Sequence, residues 1–264
     1  MVKRIIKYVG LAVILYLIYL AVCLLVPPLF HKTTDTAARE AFYTAKTEEG
    51  GFEKERARSV DTNLEALLWR LRLVEEAKET LVLTTFDFRD ESGGQDMMAA
   101  LWNAANRGVK VQILVDGINA GLFLSGSDNF RQLACHENVE ARFYNPINFL
   151  TPWKINYRMH DKYLIADDWG YILGGRNTDN RFLGCYEEFY NEDRDILVYE
   201  TVPGKGESLC QLQNYFDRIW NLPDSKLCRK TGKGGNLDAH YEQLRKRYPE
   251  AFTPTDWESE TTET

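Results

Sequence analysis

The sequence predicts an α/β domain whose sheet carries helices on both faces, preceded by one apolar helix long enough to cross a membrane. Three observations carry that expectation. Between residues 62 and 115, stretches with helical spacing alternate with short β-branched runs, the order that stacks helices on a sheet. Tyr8 to Phe30 holds twenty-three residues without a charge, which at ~1.5 Å per residue spans a hydrocarbon core of about 30 Å. The 264 residues are 44% hydrophobic and 12% aromatic, enough for one sizeable core and little more.

Taken in order, residues 1–30 read as a cytoplasmic stub and a transmembrane anchor. Lys3, Arg4 and Lys7 precede the apolar run, so the positive-inside rule keeps the N-terminus in the cytoplasm and puts the remainder outside. The run exceeds the roughly 7–15 apolar residues of a cleavable leader and ends in Val26-Pro27-Pro28, which favours an uncleaved single-pass anchor. Residues 31–58 are polar and read as a stalk.

A catalytic domain is expected over 59–222. Thr62-x-x-Glu65 has capping-box form, and Leu64, Leu67, Leu68, Leu71 and Val74 repeat at helical spacing. Leu81–Phe86 reads as a strand, Met97 to Ala105 as a helix stopped by Gly108, and Val109–Val115 as the next strand. Asp87 and Asp116 close these strands and read as structural. Gly121–Leu124 is an apolar patch in a loop-like setting. Asn145 to Tyr157 is aromatic and proline-broken, and it suits either core packing or a lipid-facing rim. Asp195–Tyr199 continues the sheet, and Leu209, Leu212, Phe216, Ile219 and Trp220 form a helical stripe ended by Pro223. Residues 223–264 are expected to be a polar linker or tail. Cys135, Cys185, Cys210 and Cys228 fall on the side placed outside, where disulfides are permitted; Cys210 with Cys228 is the favoured pair because they bracket one helix.

The chemistry concentrates in Arg158–Asn177, RMHDKYLIADDWGYILGGRN. Tyr163-Leu-Ile165 and Tyr171-Ile-Leu173 read as paired strands around an Asp167-Asp168-Trp169-Gly170 turn. Side chains two apart share a face, so His160 and Lys162 point the same way. Pairing Ala166 with Tyr171 sets Lys162 opposite Gly175 and His160 opposite Asn177, beside a glycine pair that leaves room for a ligand. An imidazole that attacks phosphorus or donates a proton, an ammonium and a carboxamide together suit phosphate chemistry.

The spacing His160-x-Lys162-x4-Asp167-x6-Gly174-Gly175-x-Asn177 resembles the HKD signature of the phospholipase D superfamily, and its flanks look most like the bacterial cardiolipin synthase branch. Gly175 replaces the serine that many members carry. The resemblance implies a phospholipase D-like sheet, a nucleophilic or acidic His160, and phosphate binding by Lys162, Gly174, Gly175 and Asn177. It implies no metal and no other cofactor. Asp167 belongs to the motif, but its place in the turn points to structure. Imidazole needs a carboxylate to orient it; Asp195 is the candidate, with Glu188 second.

Family members normally use two such motifs, and His31, His136 and His240 have no lysine two positions on. The chain is therefore expected either to pair with a second copy of itself or to be the front half of a two-motif enzyme. Without the three basic residues of 1–30, 29 basic residues face 39 acidic ones, a formal −10, which argues against nucleic acid as partner. The expected activity is a membrane-anchored, cardiolipin synthase-like phosphatidyltransferase or phosphodiesterase acting on phosphatidylglycerol or a similar phospholipid. The alternatives are a catalytically silent lipid-binding subunit or truncated half-enzyme, and a nuclease last.

Overall fold

The computed structural model describes residues 2–30, 55–228 and 234–263. The chain divides into two compact units, Met1–Glu48 with Ile147–Arg158 and Glu49–Pro146 with Met159–Thr264.

In the first unit, α1 (Val2–Leu29) is a single helix, apolar on all sides and long enough to cross a membrane. Against it lies Ile147–Arg158, irregular except for one 3-10 turn at Pro152–Lys154.

The second unit is built on one mixed sheet. Among the described residues its strands are β1 (Glu55–Val60), β2 (Thr80–Thr85), β3 (Lys110–Asp116), β4 (Val139–Tyr144), β5 (Tyr163–Ala166), β6 (Gly170–Gly174), β7 (Asp195–Glu200), β8 (Ser225–Leu227) and β9 (Thr262–Glu263). Their order is β8-β4-β3-β2-β5-β6-β7-β1-β9. β2, β3 and β4 run parallel, and every other pairing is antiparallel.

Alternation along the strands explains why both faces are covered. Leu81, Leu83, Ile113, Leu164 and Ala166 enter one core with helices α2 (Asn63–Glu76), α3 (Ser92–Asn106) and α4 (Asp128–Ala134). The intervening Val82, Leu114, Tyr163 and Ile165 face α5 (Glu207–Trp220), whose Leu209, Phe216 and Trp220 are buried against them. The capping box at Thr62 forms as expected: its hydroxyl accepts from the Glu65 N–H, and the Glu65 carboxylate accepts from the Thr62 N–H.

Several expectations are corrected. The domain starts before residue 59: Glu55–Arg58, expected as the end of the stalk, belongs to the strand Glu55–Val60 between β7 and β9, while residues 31–54 of that stalk lie outside the described residues. Residues 223–264 are not simply a polar tail. They contribute β8, α6 (Leu237–Arg247), α7 (Trp257–Glu260) and β9. Their few apolar residues are spaced to be buried, with Leu237, Tyr241, Leu244, Ala251 and Trp257 in the core and Trp257 in ring contact with Trp69, Trp169 and Tyr199. Gly121–Leu124 is helical, within the turn Ala120–Leu124. No disulfide forms among the five cysteines; Cys210 is exposed on α5 while Cys228 packs against the opposite core.

Candidate active site

The hairpin β5–β6 positions the candidate residues. Its loop is one residue shorter than expected. Ala166 pairs with Gly170 and Ile165 with Tyr171, so the register shifts by one and Lys162 faces Gly174, whose N–H donates to the Lys162 carbonyl at 3.1 Å. Asp167 makes the tighter turn possible by adopting a left-handed φ of 48°. Its carboxylate accepts from the N–H groups of Lys78 (2.8 Å), Glu79 (2.9 Å) and Thr80 (2.7 Å), which fixes the start of β2. Seven residues of extended chain at ~3.3 Å each keep it some 20 Å from His160.

At the other end, His160 and Lys162 are in direct contact. Lys162 is almost wholly buried, and its Nζ lies 3.1 Å from His160 Nδ1 and donates to the His160 carbonyl at 2.6 Å. The ring of Phe86, just past β2, packs on the imidazole with centroids 4.6 Å apart and lies 5.5 Å from the ammonium. Desolvation, and then the Lys162 charge, hold the imidazole pKa below its usual 6.5. Desolvation likewise lowers that of Lys162, against the opposing charges of Asp161 and Asp193. His160 Nε2 has no partner among the described residues. One ring nitrogen is thus open, on a residue exposed to solvent.

Asn177 joins this end through Asp87, whose N–H donates to Asn177 Oδ1 at 3.2 Å one residue after Phe86. Asp116, fully buried, accepts from the Met159 N–H at 3.3 Å and from the first N–H groups of the following turn, so it holds the residue before His160 in place. The Asp87 carboxylate pairs with Arg89 and Arg181.

Asp195 makes no hydrogen bond to the imidazole among the described residues. Its Oδ2 is 2.9 Å from Arg70 and 3.4 Å from Arg176, with all three side chains buried. Arg176 also binds Asn63 and the carbonyls of Val60, Asp61 and Asp193, tying the hairpin to β1 and to the entry of β7. The space over the glycines is already taken: a Cβ on Gly174 would lie 1.8 Å from Asp195 Oδ1, and one on Gly175 would lie 2.1 Å from Asp193 Oδ2. A side chain at either position would displace these carboxylates. Sequence reasoning passed over Asp193, whose charge acts on Lys162. Its Oδ1 accepts from the Arg194 N–H, and Oδ2 has no partner among the described residues. Glu188 is exposed, away from these contacts.

Residues 71–220 match the family described as cardiolipin synthase, PLD-like domain. Cardiolipin synthase C of Escherichia coli K12 is 34% identical over 153 residues, covering 54% of this chain and 32% of that protein. The cardiolipin synthase of Oceanobacillus iheyensis is 29% identical over 191 residues, covering 66% and 38%. The chain therefore spans about a third of the length of these relatives. Among solved structures, the phospholipase D family member Nuc of Salmonella typhimurium superposes with a TM-score of 0.51 at 17% identity, over 67% of this chain and 100% of that one. Phosphatidylserine synthase of Haemophilus influenzae gives 0.54 at 15% identity, over 78% and 47%. At such identities the likeness is one of fold.

Proposed function

Because the chain belongs to the cardiolipin synthase, phospholipase D-like domain family, we propose that it is a membrane-anchored enzyme that transfers phosphatidyl groups through His160. The observation that carries this reading is an exposed imidazole with its Nε2 open, set against a buried ammonium at 3.1 Å.

In the proposed reaction a phospholipid phosphate draws Lys162 onto its oxygens, with the Asn177 carboxamide as a further donor. Nδ1, relieved of the ammonium, takes the ring proton, and the Nε2 lone pair attacks phosphorus. The bond from phosphorus to the departing headgroup oxygen breaks, and a second histidine protonates that alkoxide. An acceptor hydroxyl then attacks the phosphohistidine, gives its proton to the second histidine and releases His160. A phosphatidylglycerol hydroxyl as acceptor yields cardiolipin, and water yields phosphatidic acid. The motif occurs once in this sequence, so the second histidine comes from another HKD domain or another copy of the chain. Asp193 is the carboxylate we assign to orienting the site, with Asp195 and Asp167 holding its frame.

The contact of Lys162 with Nδ1 also favours a second reading, a lipid-binding subunit without turnover, since in that state the ammonium occupies the nitrogen that an orienting carboxylate would take. The two are separated by assaying labelled phosphatidylglycerol with the full chain, alone and with a second HKD domain, beside His160→Gln. Turnover lost in the folded variant supports the enzyme. Lipid binding without turnover in either protein supports the subunit. The formal −10 of residues 31–264 speaks against a nuclease.

A further inference from the structure

We propose that Ile147–Tyr157 is itself a membrane-inserted element, with Phe149 and Leu150 seated among phospholipid acyl chains beside the C-terminal half of α1. The inference rests on the reading that α1 crosses a bilayer. Phe149 and Leu150 are 70% and 85% exposed, and Ile147 is exposed as well. Three large apolar side chains within four residues form an apolar tip that water would penalise.

Part of the backbone of this segment is satisfied within the chain. The Thr151 N–H donates to the Asn148 carbonyl, that of Lys154 to Thr151, that of Ile155 to Pro152 and that of Tyr157 to Lys154, while the Asn148 side chain accepts from the Leu150 N–H. Hydrocarbon admits non-helical backbone only where protein covers or satisfies its polar groups, and these internal bonds together with the α1 contacts lower that cost. The Phe149 carbonyl, at the tip, accepts from the Tyr16 hydroxyl of α1 at 2.8 Å. One bond thereby settles two polar groups that hydrocarbon would otherwise leave unmet.

The depth follows from the same contacts. The Asn156 amide donates to the Leu24 carbonyl at 2.8 Å near the C-terminal end of α1, whereas Tyr16 lies near the middle of the apolar span Val2–Pro27. From Leu24 to Tyr16 the helix descends ~12 Å at ~1.5 Å per residue. The segment therefore runs from the interface toward the bilayer centre and back. Trp153, Lys154, Tyr157 and Arg158 make up its returning limb, residue types suited to the headgroup region. His160 follows Tyr157 by three residues, so the proposed nucleophile is tethered to a lipid-embedded element.

The test is photolabelling of the full chain in phosphatidylglycerol-containing vesicles with a phospholipid carrying a diazirine on its acyl chain, read by peptide mass spectrometry. Expected are carbene adducts on α1 and on Phe149 and Leu150, with none at Leu227, an exposed leucine on the β8 edge. The doubly substituted Phe149→Asp, Leu150→Asp chain is expected to keep its α1 adducts and lose those of the segment. Adducts on α1 with none on Ile147–Tyr157 in the unsubstituted chain would overturn the insertion and leave the anchor standing. Adducts on neither would overturn the anchor and the insertion together.

Discussion

The two ends of the β5–β6 hairpin use the same kinds of polar side chain in opposite ways. At the turn, Asp167 meets three backbone N–H groups and is consumed by them. At the open end, among the described residues, His160 keeps Nε2 without a partner and Lys162 is buried against the ring rather than in an ion pair. Asp167 is engaged by the fold, whereas His160 is exposed to solvent with one ring nitrogen open, so the two ends differ in what they leave available to a ligand. The signature thus joins a histidine–lysine contact at one end of the hairpin to a fastened aspartate at the other.

Four substitutions sharpen or break that contrast. His160→Gln is expected to lower lipid turnover by about 10³-fold or more, with the thermal midpoint nearly unchanged. Retained turnover in the folded variant would remove the open end's claim to chemistry. Asp195→Ala leaves Arg70 and Arg176 buried without their carboxylate and is expected to cost roughly 3–5 kcal/mol in urea unfolding; a loss below ~1 kcal/mol would show the pair to be dispensable. Asp167→Ala removes the shared acceptor of three N–H groups and is expected to cost about 2–3 kcal/mol, with turnover per folded molecule preserved. A selective loss of turnover at full stability would place it with the reactive end instead. The smallest effect is electrostatic. Lys162→Met removes one of the two influences that lower the His160 pKa, so in an NMR titration that pKa moves up toward 6.5 while desolvation keeps it below. A downward shift would contradict the assigned cause.

The same lowering fixes a pH dependence. His160 must be neutral to attack, and its folded pKa lies below 6.5, so the acid limb of kcat/KM is expected below that value. The unfolded chain takes up this proton first as pH falls through 6.5, so the group's contribution to stability is present above that pH and is lost as pH falls to the folded pKa. An acid limb above 6.5 would point to a different titrating group.

Much of this was legible in the chain because periodicity and capping are local. The helix after Thr62, the strands at 80–85 and 110–116 and the α5 stripe all follow from spacing. What was illegible depended on distant partners. ERARSV at 55–60 looks like a polar stalk until β7 pairs with it, and residues 237–257 bury a handful of apolar groups in a largely charged stretch. In the site, the motif brought His160 and Lys162 together as read, but a turn of one residue fewer moved the register, because Asp167 accepts a left-handed backbone. Asp195 and Asp193 are two apart at the mouth of β7, and only the positions of Arg70 and Arg176 show which of them is engaged.

The central claim is that His160 carries the phosphatidyl group. The most direct measurement is to mix the full chain, together with a second HKD domain, with phosphatidylglycerol labelled at phosphorus. The reaction is quenched in alkali, where phosphohistidine persists, and the labelled peptide is sequenced. The account predicts label on the peptide bearing His160 and none in His160→Gln. Lipid turnover that proceeds at the original rate in His160→Gln, or label confined to another residue of this chain, would contradict it.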